Sequence, residues 1–212
     1  MVTTLPKTTL DVIRAGVVPY AEAEQLQERL WSARCHEEIL DTVLVLQHPP
    51  VITLGQSGGL EDVRVSIKHL AACGVELHST NRGGRATFHG PGQLVVYPIV
   101  KLPDHDLHTY VWKLEEAIIR TVSAWGVAAD RDERYPGVWV DLDKLAAVGI
   151  AVRDDVTTHG AALNVNVDLS YFDLITPCGI ADRGVTSMKK LLGRAVPMRE
   201  VEDEFIRQFC NR

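Results

Sequence analysis

The sequence predicts an α+β fold in which a mixed β-sheet is flanked by α-helices. Short apolar, β-branched runs recur along the chain, as in Thr42-Val43-Leu44-Val45-Leu46, Val51-Ile52-Thr53-Leu54 and Leu94 to Ile99. Few helical patterns separate them, which favours a largely antiparallel or mixed sheet over alternating strand-helix-strand units. With 212 residues and 46% hydrophobic content the chain can bury a substantial core. It contains no internal repeat, low-complexity tract or composition break, so one domain spanning residues 1–212 is expected.

Residues 20 to 36 place Ala23, Leu26 and Leu30 at helical spacing with charged residues between them, an amphipathic helix that ends near Cys35. The strand from Thr42 to Leu46 is stopped by Pro49-Pro50, and the strand Val51 to Leu54 by Gly55. Cys73, after Ala71-Ala72 and before Gly74, reads as a helix end. Residues 81 to 93, NRGGRATFHGPGQ, are loop-like around Ala86-Thr87-Phe88. The longest helix signal covers residues 106 to 125, with Leu107, Tyr110, Val111, Leu114, Ile118 and Trp125 along one face. Three strands follow: Val138 to Val140, Leu145 to Val152 and Val156 to Val167, the last two joined as a hairpin through Arg153-Asp154-Asp155. Met198, Val201, Phe205 and Phe209 mark a final helix.

A formal net charge of -6 argues against non-specific nucleic-acid binding, which needs a basic face. No stretch has the length of a membrane span, and MVTTLPKTTLDVIRAG lacks the apolar core of a secretory signal. Cys35, Cys73, Cys178 and Cys210 are scattered and form no Cys-x-x-Cys pair, so neither a zinc knuckle nor a disulfide framework is suggested and a reducing cytoplasm fits; no metal and no cofactor are expected. Cys35 and Cys210, at helix ends, read as packing residues.

Four features carry chemistry. Arg82-Gly83-Gly84-Arg85-Ala86-Thr87-Phe88-His89, followed by Gly90-Pro91-Gly92-Gln93, concentrates glycine, arginine and histidine. Such backbone approaches a ligand closely and exposes amide groups to an anion or carbonyl oxygen; a tight turn with solvated arginines has the same composition. No Gly-Lys-Ser/Thr closes the loop, and the Gly-x-Gly-x-x-Gly spacing is missing, which disfavours nucleotide phosphate and dinucleotide readings. In Thr157 to Asn166, His159, Gly160, Ala161 and Ala162 leave room for an alkyl chain, or form a β-bulge with the histidine bonded to backbone. Lys144 opens the run Leu145-Ala146-Ala147-Val148-Gly149-Ile150, either as a solvated strand end or beside a thiol that its charge would activate. Cys178, between Pro177 and Gly179, is the best candidate nucleophile, although a free cysteine is ordinarily a small buried hydrophobe.

Together, RGGRATFHGPGQLVVYPI, GVWV followed by KLAAVGIAV, and TTHGAALNVNVDLSYFDLITPCGI resemble the octanoyltransferase family, the lipoyl(octanoyl) transferases, with support upstream from LVLQHPPVITLG. The resemblance runs from about residue 10 to the final helix. It implies a fold similar to the catalytic domains of biotin and lipoate ligases. The implied activity moves an octanoyl group from octanoyl-acyl carrier protein to a specific lysine of lipoyl domains of 2-oxoacid dehydrogenases and the glycine cleavage H protein, without ATP. Carried over by motif, Cys178 is the acyl-thioester nucleophile and Lys144 its partner. Substrate contacts fall on Arg82 to His89, on Ala147, Val148 and Gly149, and on His159 to Ala162. Arg82 and Arg85 are then candidates for a basic rim facing the acidic carrier. Rival readings are an ATP-dependent ligase, a non-catalytic binding module, and a cysteine hydrolase using Cys178 with His159. Asp141 and Asp143, which precede Lys144, would hold its ammonium group charged if they faced it.

Overall fold

The computed structural model describes residues 10–102, 104–176 and 183–210. The chain starts with β1 (Asp11–Val17), α1 (Tyr20–Cys35), β2 (Thr42–Gln47) and β3 (Val51–Leu54). A one-turn 3-10 helix at Leu60–Asp62 leads into α2 (Ile67–Ala72), β4 (Glu76–Ser79), β5 (Ala86–His89) and β6 (Gln93–Ile99). Next come α3 (Leu107–Ser123), β7 (Asp130–Arg131), β8 (Val138–Val140), β9 (Asp143–Arg153) and β10 (Val156–Asn164). A second 3-10 segment at Leu169–Leu174 precedes β11 (Gly184–Val185), α4 (Met188–Leu192) and α5 (Met198–Cys210).

The larger sheet has the order β1-β2-β6-β10-β9-β8-β7, and β11 pairs in parallel with β9. Only β1 and β2 are otherwise parallel here, because α1 returns the chain across the sheet between them. A smaller sheet, β4-β3-β5, pairs β3 parallel to β4 and antiparallel to β5. The fold is therefore the mixed, helix-flanked sheet that the sequence predicts.

Strand periodicity explains why both faces of the larger sheet are covered. Val43, Val45, Leu94, Val96 and Leu163 pack on one side with Leu114 and Ile118 of α3 and Phe205 of α5. The intervening Leu44, Leu46, Val95, Tyr97 and Ala162 pack on the other with Ala23 of α1. Each full burial of such a side chain contributes roughly 1.5–3 kcal/mol relative to exposure. The smaller sheet has its own core, where Ile52, Leu54, Ala86 and Phe88 meet Leu70, Val75 and Phe172.

The β9–β10 hairpin closes through Asp154 and Asp155, both left-handed at φ 50° and 62°, as a two-residue turn matching strand twist requires. β10 ends at Asn164, earlier than the expected Val167. β1 has no counterpart in the sequence reading, because it is an edge strand without a buried residue. On α1, Leu26 and Leu30 are only partly buried, and the buried positions are Tyr20, Ala23 and Gln27. The buried face of α3 runs through Tyr110, Leu114, Ala117, Ile118 and Thr121, with Leu107 41% exposed in its first turn. Cys35 does close α1, but Cys210 is exposed rather than packed.

The orientation of α3 is testable by urea denaturation. Leu114→Ala is expected to cost about 2–5 kcal/mol. Leu107→Ala should stay within about 0.5 kcal/mol of the parent, and equal losses would contradict this placement.

Candidate active site

Three segments far apart in sequence converge on one cleft enclosing about 470 Å³, part of it open to solvent. Its floor is made by β9 and β10. Gly149 lies directly opposite Gly160, and Ala147 opposite Ala162, so four small residues form two adjacent rungs on one face of the hairpin. Val148 and Ala161 also border the cleft. Its roof is the turn before β5, contributing Arg82, Gly84 and Arg85, together with Ala86 and Thr87 of β5 itself and His89 at the far end of that strand. Tyr20, Tyr97 and His159 complete the lining.

Roof and floor are joined by backbone. Gly83 donates its N–H to Ile150 O at 2.9 Å, and a Cβ on Gly149 would come within 2.9 Å of Gly83 O. Gly149 is thus required by the closeness of the roof. Gly83 forms this link instead of lining the cleft, and Phe88 turns away from it to stack on Tyr171 at 4.7 Å in the smaller core.

The arginines depart from the basic rim suggested by sequence. Arg82 is only 8% exposed and points inward; its Nη2 donates to Thr53 O at 2.7 Å, Thr53 Oγ1 at 2.8 Å and Arg85 O at 2.9 Å. The guanidinium braces the roof loop against β3. Arg85 is neutralised by Asp62, whose Oδ1 accepts from its Nη2 at 2.7 Å and Nε at 3.0 Å.

Behind the cleft lies a buried network of imidazoles and phenols. His48 Nδ1 donates to Val18 O at 2.7 Å, which leaves Nε2 to accept the Tyr97 hydroxyl at 2.8 Å. Gln93 Nε2 donates to Phe88 O and to Asn164 Oδ1, so its Oε1 accepts from His89 Nδ1 at 2.8 Å. Asn164 Nδ2 in turn donates to Thr186 O at 3.0 Å. His159 is left-handed at φ 56°, yet the β9–β10 register passes through it unbroken, so the expected bulge is absent at this position. Its N–H goes to Gln27 Oε1 at 2.7 Å, and its Nε2 donates to Asn81 Oδ1 at 2.6 Å. Burial, seconded by the Arg82 charge, lowers His159 to a pKa of about 4. Burial also lowers His48 to about 4 and holds His89 well below the usual imidazole range. The cleft is therefore bordered by neutral imidazoles near pH 7.

Lys144 stands at the start of β9 and is 6% exposed, so it is no solvated strand end. Its Nζ donates to Pro136 O at 3.2 Å and lies 4.7 Å from the centroid of the Trp139 ring. Asp143, the preceding strand residue, points to the opposite face and meets Lys190 at 3.6 Å. Cys178 lies outside the described residues. Downstream of it, Val185 pairs with Lys144, and Thr186 N–H donates to Lys144 O at 3.0 Å. Upstream, Thr176 N–H donates to Asp62 O at 2.7 Å.

Residues 19–210 match the family model of the lipoyl protein ligase A/B catalytic domain. The chain is 46% identical over 206 residues to an octanoyltransferase of Rubrobacter xylanophilus, covering 96% of this chain and 93% of the relative. The chain belongs to the octanoyltransferase family. A second octanoyltransferase, from Caldanaerobacter subterraneus subsp. tengcongensis, is 48% identical over 202 residues, with coverage of 94% and 88%. Among solved structures, a lipoate protein ligase from Thermoplasma acidophilum superposes with a TM-score of 0.71 at 17% identity, covering 96% of this chain and 82% of the other. A biotin protein ligase from Aquifex aeolicus has a TM-score of 0.54 at 15% identity, with coverage of 94% and 66%. These two likenesses place the fold. This octanoyltransferase is an acyltransferase acting in protein lipoylation. No helix among its described residues is long and apolar enough to cross a membrane, and none of their His, Cys, Asp and Glu side chains group as a metal site.

Sequence reading missed Tyr20, Tyr97 and the buried His48. Tyr20 opens the largely polar α1, Tyr97 lies within the apolar β6 and His48 follows β2, so their shared burial beside the cleft shows only once these elements are packed together. The imidazoles set a pH dependence for the octanoyltransferase. His48 and His159 have folded values of about 4 against an unfolded value of 6.5, so the unfolded chain binds more protons between these limits. Their contribution to stability is complete above pH 6.5 and is lost as pH falls to about 4. Imidazole NMR should show both rings neutral at pH 5.5, whereas titration of either near 6.5 would contradict the buried network.

Proposed function

We propose that this octanoyltransferase acts as one catalytic domain in the cytoplasm. It takes an octanoyl group from octanoyl-acyl carrier protein onto Cys178 and passes it to a lysine of lipoyl domains, among them those of 2-oxoacid dehydrogenases and the glycine cleavage H protein. The observation that carries this reading is the shared strand. β9 supplies both the small floor residues Ala147 and Gly149 and, at its start, Lys144, which pairs with the strand following the Cys178 segment.

In the first step the Cys178 thiol gives its proton to the neutral amine of Lys144, which becomes the ammonium, and its sulfur attacks the donor carbonyl carbon. The carbon–sulfur bond to the carrier breaks, and the departing thiolate recovers the proton. Exchange of one thioester for another is nearly balanced, so ATP is not needed. In the second step the acceptor amine attacks the Cys178 thioester; Lys144 takes the amine proton and returns it to the leaving Cys178 sulfur. The octanoyl chain lies across the Ala147, Gly149, Gly160 and Ala162 floor, beneath Arg82, Gly84 to Thr87 and His89, and against His159.

Mass spectrometry with octanoyl-acyl carrier protein and an apo lipoyl domain, without ATP, tests the chemistry. One octanoyl mass is expected on the enzyme, followed by transfer to the acceptor, with both lost in Cys178→Ala. Transfer that requires ATP would favour a ligase, and an adduct persisting in Cys178→Ala would remove the thioester step. Ala147→Leu fills the floor and should lower octanoyl transfer on the order of 10- to 100-fold, with shorter acyl donors less affected. An unchanged preference in a competition between butanoyl and octanoyl donors would exclude this path for the chain.

A further inference from the structure

We propose that Glu115 is the positioning residue for Lys144. Among the described residues it is the charged side chain on the otherwise apolar and small-polar buried face of α3. Its Oε1 accepts the Gly137 N–H at 2.8 Å, while Oε2 lies 3.3 Å from Arg131 Nε. The neighbouring Pro136 carbonyl receives Lys144 Nζ at 3.2 Å, and the Tyr135 carbonyl receives Trp139 Nε1 at 3.1 Å. Three buried side chains, from α3, β8 and β9, therefore hold three successive residues of one turn.

The turn has little freedom to take another position. A Cβ on Gly137, at φ 129°, would lie 2.6 Å from Ala146 O and 3.4 Å from Lys144 Cε, so the backbone passes directly against the lysine stem. The cost of a buried carboxylate is met by specific partners. Burial raises the Glu115 pKa, opposed by the Gly137 N–H, by Arg131 and by the charge of Lys144. Arg131 is itself fixed by Glu116 Oε2 at 2.7 Å and by stacking 4.3 Å over Trp112. Glu115 thus sets where the Pro136 carbonyl stands, and with it the direction in which the Lys144 amino group points.

This inference rests on the role proposed above for Lys144, and a double-mutant cycle separates the two. Transfer from octanoyl-acyl carrier protein to an apo lipoyl domain is measured in Glu115→Ala, Glu115→Gln, Lys144→Ala and Lys144→Ala/Glu115→Ala. Glu115→Ala should lower kcat on the order of 10- to 100-fold, the scale of a misplaced catalytic group, with KM for the acceptor little changed. Glu115→Gln, which still accepts the Gly137 N–H, should recover most of that loss, and Glu115→Ala should add nothing once Lys144 is absent. Full kcat in Glu115→Ala, or equal losses with and without Lys144, would overturn the positioning role. Unimpaired transfer by Lys144→Ala would instead remove the role of Lys144. If Glu115→Ala does not fold, Glu115→Asp replaces it in the cycle, because the shorter side chain withdraws the acceptor, and the same loss is expected.

Discussion

The pairing register of β9 with β10 is the constraint on which the site depends. It sets Gly149 against Gly160 and Ala147 against Ala162 on one face of the hairpin. The intervening Ala146, Ala161 and Leu163 pack on the other face, toward α3 and α5. A slip of one residue would exchange these sets, turning core side chains into the cleft and the small residues into the core. The tight Asp154-Asp155 turn at one end and the pairing of Val185 with Lys144 at the other hold the register from both sides.

The roof is held by charge and the floor by packing, and the two meet at Arg82. Its guanidinium sits in the interior, where Thr53 and the carbonyls of Gly83 and Arg85 accept its hydrogen bonds. That buried positive charge is one reason why His89 and His159 resist protonation, after the larger effect of their burial. The cleft thus offers neutral rings and small side chains, the surroundings that the proposed acyl chain requires, while the charge beside them is already engaged by oxygen acceptors.

Much of this was legible in the sequence, and the limits have physical causes. The continuous apolar strands Thr42 to Leu46 and Leu94 to Ile99 announced themselves because both of their faces are buried. The glycine loop and the Gly160-Ala161-Ala162 run were visible as places where side chains make room. Phe88 was misassigned because strand alternation sends it into the smaller core, and the basic rim failed because Arg82 and Arg85 bind acceptors from the distant Thr53 and Asp62. Glu115 was hidden for a similar reason: within α3 it resembles any surface glutamate, and only the approach of Arg131 and of the Tyr135–Gly137 turn gives it partners.

Asp62 serves two segments at once. Its carboxylate holds Arg85 in the roof, and its backbone carbonyl receives Thr176 at the entrance to the segment containing Cys178. The roof and the chain at Thr176 therefore share one anchoring residue. Displacing Asp62 would release Arg85 and Thr176 together, although the two lie far apart in sequence.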